Sequence, residues 1–233
     1  DNGYRMRGIV IDESTATLES SNIVLENLLI EYGLFGILIY DYNATHKNIT
    51  IRNCYIKDTY NKGIQIINLK DSVIENVTIE NAGNRGAEES LADQTAIYVD
   101  GTKTNNLKIK DVRIYGGSWT SEGIAVEYGH NLLIEHCRVE NVKANGIDLI
   151  GSDPEDLQNV VIRDCKIYNC GIGWKGTNYS GIEVTKGYNI AIENCDIYGD
   201  AMNSGILVSA GDAYTEIIIK GNSIRNSGGQ GIY

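Results

Sequence analysis

The chain has 233 residues, with 31 Asp and Glu against 20 Lys and Arg, for a formal net charge of −11. That balance argues against nucleic acid as a partner, because phosphate recognition needs basic patches. No apolar run approaches the roughly 20 residues of a membrane span, and five cysteines in a chain of this length do not suggest a disulfide scaffold.

In chain order, the sequence repeats itself. One phrase occurs at 22–30, 48–56, 71–79, 106–114, 131–139, 159–167, 189–197 and 216–224, and it is clearest as Asn-Ile-Ala-Ile-Glu-Asn-Cys-Asp-Ile from Asn189. A second phrase, Gly-Ile-x-Ile or its Val and Leu forms, follows at Gly36, Gly63, Gly123, Gly146, Gly181, Gly205 and Gly231, with Ala96 in the slot once and Gly8 opening an earlier copy. The starts of the first phrase are 23 to 35 residues apart, the range of a solenoid repeat. Apolar and polar residues alternate within each unit, which predicts strands with one buried face. The pieces are too short for helices and rich in Ile, Val and Thr. Leucine-rich repeats share the length but need a Leu-x-x-Leu-x-Leu register with a helical half, which is absent. Three short strands per turn, each stacked on its copy in the next, make a parallel β-helix, and parallel connections are overwhelmingly right-handed.

These two phrases resemble the repeat of the right-handed parallel β-helix proteins of the pectin-lyase-like superfamily, over essentially the whole chain. The resemblance implies that Gly-Ile-x-Ile is the first strand of each rung (PB1), Asn-Ile-x-Ile the second (PB2), and the apolar pair after the second Asn the third (PB3). Turn T1 then joins PB1 to PB2, the tight turn T2 carries the second Asn, and the variable T3 leads to the next rung. The expected fold is all-β: a right-handed, single-stranded parallel β-helix of about eight rungs, roughly 40 Å long at about 4.8 Å per rung. Residues 1–233 form a single domain in this reading. Neither end supplies a polar cap, so the chain is expected to be a fragment of a longer one.

Cys54, Cys137, Cys165 and Cys195 share one repeat position with Leu28, Val77 and Val112. A site that accepts thiol or aliphatic alike is a small buried apolar site, so an interior stack of free thiols is expected. Cys170 falls in a T3 loop and is the one candidate for reactivity. The T2 position reads Asn27, Asn53, Asn76, Asp111, His136, Asp164, Asn194 and Gly221, residues that tolerate left-handed backbone and bond to it. His136 is thereby a structural residue, while His46 and His130 are expected at the surface of T1 turns.

Function is expected where the pattern breaks. The T3 stretches at 81–95, 115–122 and 168–180 are long and 140–145 is short, which predicts a cleft over PB1 of the rung carrying Asp148. Outward PB1 positions there read Tyr98, Ala125, Asp148 and Glu183, then Asp100, Glu127, Ile150 and Thr185. Asp148, Glu127 and Glu183 are the candidate catalytic acids and bases: carboxylates one rung apart repel, raising the pKa of one, and glycoside hydrolysis needs such an acid and base. Trp119, Trp174, Tyr98, Asp100 and Lys175 are the candidate sugar-binding residues. No metal site is assigned, although calcium is the one cofactor that an acidic patch would suit.

The motifs of the superfamily's enzymes are absent. Neither the Asn-Thr-Asp, Asp-Asp, Gly-His-Gly and Arg-Ile-Lys set of polygalacturonase-like hydrolases nor the Asp-Pro-His-Glu of alginate epimerases occurs. No Arg or Lys is expected on outward PB1 positions, where pectate lyases carry a base; Arg85, Lys143, Lys175 and Lys186 are placed in nearby loops. The resemblance therefore implies a hydrolase or lyase acting on a polysaccharide or cell-surface glycan, located extracellularly or at a cell or virion surface. The alternative is a non-catalytic structural or adhesive solenoid, as a homo-oligomer such as a trimer.

Overall fold

The computed structural model describes residues 8–12, 20–83, 94–173, 179–209 and 216–233. Among the described residues every strand pairing is parallel, and each of three sheets collects every third strand: nine in the PB1 sheet and eight each in PB2 and PB3. No helix occurs among the described residues. One rung shows the plan. Strands Ile147–Ile150, Leu157–Arg163 and Lys166–Tyr168 stack on Ser180–Lys186, Tyr188–Glu193 and Asp196–Tyr198. Ile147 lies opposite Ile182, Ile162 opposite Ile192 and Ile167 opposite Ile197.

The inward side chains of the three sheets fill the interior. Ile147, Leu149, Val160, Ile162 and Ile167 are fully buried, each burial stabilising by about 1.5–3 kcal/mol as an upper figure. The shared cysteine position behaves as expected. Cys54, Val77, Val112, Cys137, Cys165 and Cys195 are no more than 3% exposed and belong to one core cluster. Their thiols are free and donate weakly to backbone, as from Cys165 Sγ to Ile134 O at 3.7 Å.

Two sequence expectations are corrected. Cys170 is fully buried in the same core, and burial pushes its thiol up to about 12, so it is not a reactive loop cysteine. His46 is fully buried too, because it opens the strand His46–Arg52 on an inward position and packs beside Asp41, whose carboxyl is held below its ordinary value mainly by hydrogen bonds from Asn43 N and Ala44 N.

The corners are made by left-handed residues. All T2 residues from Asn27 to Gly221 have positive φ. Two further ladders use the same device, one at the start of PB2 (Asn22, Asn48, Asp71, Asn106, Asn131, Asn159, Asn189) and one after PB3 (including Asp58, Asn81, Asn141 and Asn169). The non-glycine φ values lie between 49° and 61°, a region that costs most L-residues about 1–2 kcal/mol. Asn and Asp lower that cost by local hydrogen bonds, and their amides also bond rung to rung, as from Asn189 Nδ2 to Asn159 Oδ1 at 2.7 Å.

The outer face of PB2 carries a line of alternating charge. Glu26, Arg52, Glu75, Lys110, Glu135, Arg163, Glu193 and Lys220 stand directly over one another. Ion pairs close at Arg52–Glu26 (2.6 Å), Lys110–Glu75 (2.8 Å) and Arg163–Glu135 (2.6 Å).

Candidate functional site

The PB1 face presents three outward columns. The middle one reads Gln65, Tyr98, Ala125, Asp148 and Glu183 in direct register, and next to it Asp100 and Glu127 lie on neighbouring rungs, the latter docked by Glu127 N donating to Val99 O. The sequence did not point to the third column, the residues just before each Gly-Ile or, at Thr95, before Ala96-Ile97: Lys62, Thr95, Glu122, Asn145 and Ser180. Their backbones form a ladder, with Ala96 N donating to Glu122 O, Gly123 N to Asn145 O and Gly146 N to Ser180 O. At Gly146 a Cβ would lie 2.5 Å from Ile167 Cγ2 and 2.6 Å from Gly181 O. The rungs approach too closely at Gly146 to admit a Cβ there, although Ala96 fills the equivalent slot two rungs earlier, and Asn145 and Asp148 meet on one surface beside it.

Asn145 organises the centre. Ser180 N donates to its Oδ1 at 2.7 Å, which fixes which end of the amide is nitrogen. Its Nδ2 then donates to Asp148 Oδ2 at 2.8 Å and to Glu183 Oε2 at 2.9 Å. The two carboxyls are therefore no more than two hydrogen-bond lengths apart. On its other side Asp148 is hydrogen-bonded to Glu122, which also accepts from Thr95 Oγ1 at 3.2 Å.

Charge state follows from this packing. Asp148 is 6% exposed, and burial, then the charge of Glu122, raises its pKa well above the ordinary value. Its Oδ1 is buried and has no hydrogen-bond partner, which leaves that oxygen poorly suited to carrying charge. Glu122 is also raised, chiefly by burial, and Glu183 likewise. Two ionised carboxylates held side by side are unfavourable, so the Asp148–Glu122 pair resists full ionisation. The nearly buried Lys62 offsets part of the remaining charge on Glu122, and its Nζ lies 4.8 Å over the ring of Tyr98. Tyr98 is hydrogen-bonded to Glu127 and, with burial as the larger cause, holds its proton more tightly than a free tyrosine.

The structure brings Asp148 and Glu183 together and sets Glu127 with Asp100 and Tyr98 beside them. Asp100 and Glu127 open onto a cleft of about 380 Å³ on the T1 side, walled by Tyr42 and Tyr128. Trp119 is half-buried, with Lys143 Nζ 4.6 Å from its ring centroid. Trp174 and Lys175, and with them much of the expected cleft wall, lie outside the described residues. A bulge between Leu149 and Ile150 shifts the register, so Ile150 faces Lys186 where Thr185 was expected. Lys186 is therefore on PB1 itself, its Nζ donating to Ser152 O at 2.5 Å. Among the described residues no group of three or more His, Cys, Asp or Glu is arranged to hold a metal ion, and no helix is long and apolar enough to cross a membrane.

This architecture defines a parallel β-solenoid with a polar, partly buried face on one sheet. The right-handed β-helix region family matches residues 6–154 and 95–233, and the chain belongs to that family. None of the curated proteins compared matches it. Among solved structures it is similar to an alginate lyase from Paenibacillus sp. strain FPU-7, at 19% identity and a TM-score of 0.69 over 96% of this chain and 78% of that one. It is also similar to the catalytic unit of a thermostable GH87 α-1,3-glucanase from Streptomyces thermodiastaticus strain HF3-3, at 14% identity, a TM-score of 0.52, and 92% and 45% coverage. A third is the A-module of the mannuronan C-5 epimerase AlgE4 from Azotobacter vinelandii, at 17% identity, a TM-score of 0.50, and 91% and 64% coverage. These likenesses show the fold, and each of these proteins is an enzyme acting on a polysaccharide.

Proposed function

We propose that the chain cleaves an extracellular glycan on its PB1 face by acid–base hydrolysis, with Asp148 as proton donor and Glu183 as the partnering carboxylate. The observation that carries this reading is Asn145, which holds a buried carboxyl and a second, half-buried one on one nitrogen; burial raises the pKa of both. At that close spacing Glu183 attacks the anomeric carbon as Asp148 protonates the departing glycosidic oxygen, and a water that gives its proton to Asp148 then hydrolyses the resulting glycosyl ester and frees Glu183. Glu122 acts on Asp148, keeping its proton in place, and is a positioning residue. Tyr98, Asp100 and Glu127 line the path of the sugar chain, with their hydroxyl and carboxylates available to its hydroxyl groups. The polysaccharide enzymes with this fold are in keeping with such a substrate.

The test is Asp148→Asn in the full chain, assayed on a panel of neutral and acidic glycans. The amide keeps an acceptor for Asn145 and a donor for Glu122, so the variant folds, while turnover falls by a factor of about 10²–10⁴. Products that absorb in the ultraviolet through a new double bond would assign a lyase instead. No turnover by the unmodified chain on any glycan removes the enzymatic reading and leaves the structural or adhesive rod.

A further inference from the structure

The PB2 and PB3 faces treat charge differently. On PB2 every interior cation of the outward line stands between two acids. On PB3 the line through Arg113, Arg138 and Lys166 puts three cations on consecutive rungs, each directly over the next, and all three are exposed. Like charges directly opposite one another destabilise a sheet, and PB2 shows that this fold accommodates the opposite arrangement. Stability therefore does not ask for the PB3 row.

The row forms the floor of a groove of about 740 Å³, also lined by Asp111, Tyr115, His136 and Asp164. The Arg138 guanidinium lies 5.2 Å from the ring centroid of Tyr168 and is engaged by Glu140. Neither Arg113 nor Lys166 closes an ion pair among the described residues: Lys166 faces Asp196 on the next rung, and that carboxylate is already held by Arg225. The groove thus offers two cations about two rungs, or roughly 9–10 Å, apart, with Tyr115 and the carboxylates of Asp111 and Asp164 also on its lining. A sugar acid uses all three: its carboxylate meets a cation, its hydroxyls donate to carboxylates, and its apolar ring face lies on an aromatic side chain.

We propose that the PB3 groove binds an acidic polysaccharide, with uronate carboxylates on Arg113 and Lys166 and a ring face against Tyr115. This site lies on a different sheet from Asp148 and does not depend on the reaction proposed there. The experiment is calorimetric titration of the full chain at low salt with three ligands of matched length: an oligogalacturonate, a neutral oligosaccharide and a single-stranded oligodeoxynucleotide. The oligogalacturonate binds, and affinity falls about tenfold for each cation removed in the double variant Arg113→Gln, Lys166→Gln. Because that change relieves like-charge stacking, the double variant melts no lower than the unmodified chain. The double variant Arg113→Gln, Lys166→Gln keeps whatever turnover the unmodified chain shows on the glycan panel, which keeps failure here separate from failure of the hydrolytic reading. The proposal is overturned if the oligogalacturonate does not bind, if the double variant binds it equally well or unfolds, or if the neutral sugar or the oligonucleotide binds as tightly.

Discussion

Asp148 is the residue on which the chemistry and the stability of the PB1 face meet. Its pKa is raised on folding from the ordinary 3.8, so the folded state holds the proton more tightly than the unfolded one. The sign follows: this group favours the folded state most below its unfolded pKa, and that contribution is lost as pH rises through the raised value. Glu122 and Glu183 shift the same way. Melting temperature should therefore decline from mildly acidic toward neutral pH, and Asp148→Asn, which cannot ionise, should gain on the unmodified chain across that interval in parallel thermal melts. A second expectation concerns the thiols. All five cysteines are buried, so a thiol reagent should label none in the native protein and all five once it is unfolded. Repeat position alone predicted four of these; Cys170 was misjudged because its T3 loop dips back into the core, which no period-two pattern records. Glu122, Asn145 and Lys62 escaped for a related reason. They sit at the corner before Gly-Ile, where strand alternation no longer says which way a side chain points.

At the scale of the element, the corners decide whether a rung closes. The T2 ladder was legible because Asn and Asp recur there, whereas the ladder opening PB2 was hidden inside a stretch that reads as unbroken strand. Both impose the same geometry. Replacing Asp164 (φ 54°) by Val forces a branched side chain into left-handed backbone and should cost about 1–2 kcal/mol in denaturant titrations. Asp164→Gly should cost less, since Gly221 already fills the equivalent corner two rungs away. If both substitutions prove equally costly, the side chain of Asp164 matters more than its backbone. The bulge after Leu149 is a second lesson at this scale. One extra residue in Ser180–Lys186 carries Lys186 onto the PB1 face, a shift invisible in the sequence because Thr185 and Lys186 are equally plausible outward residues.

Across the whole molecule, the repeat dictated the three sheets and their register, since each rung can bury its apolar face only against the next. The alternating line on PB2 adds an electrostatic term to that stacking. Arg163→Glu would set three acids in a row at Glu135, position 163 and Glu193, and should lower the melting temperature at low salt, with much of the loss recovered as ionic strength rises. A loss indifferent to salt would point to packing by the aliphatic stem of Arg163. The same line gives the solenoid a parity. Excising a single coil would bring two residues of like sign face to face at the new junction, whereas excising two adjacent coils would restore an attractive neighbour. Lengthening or shortening of this rod is therefore electrostatically neutral only in even steps, which makes the pair of coils its natural unit of growth.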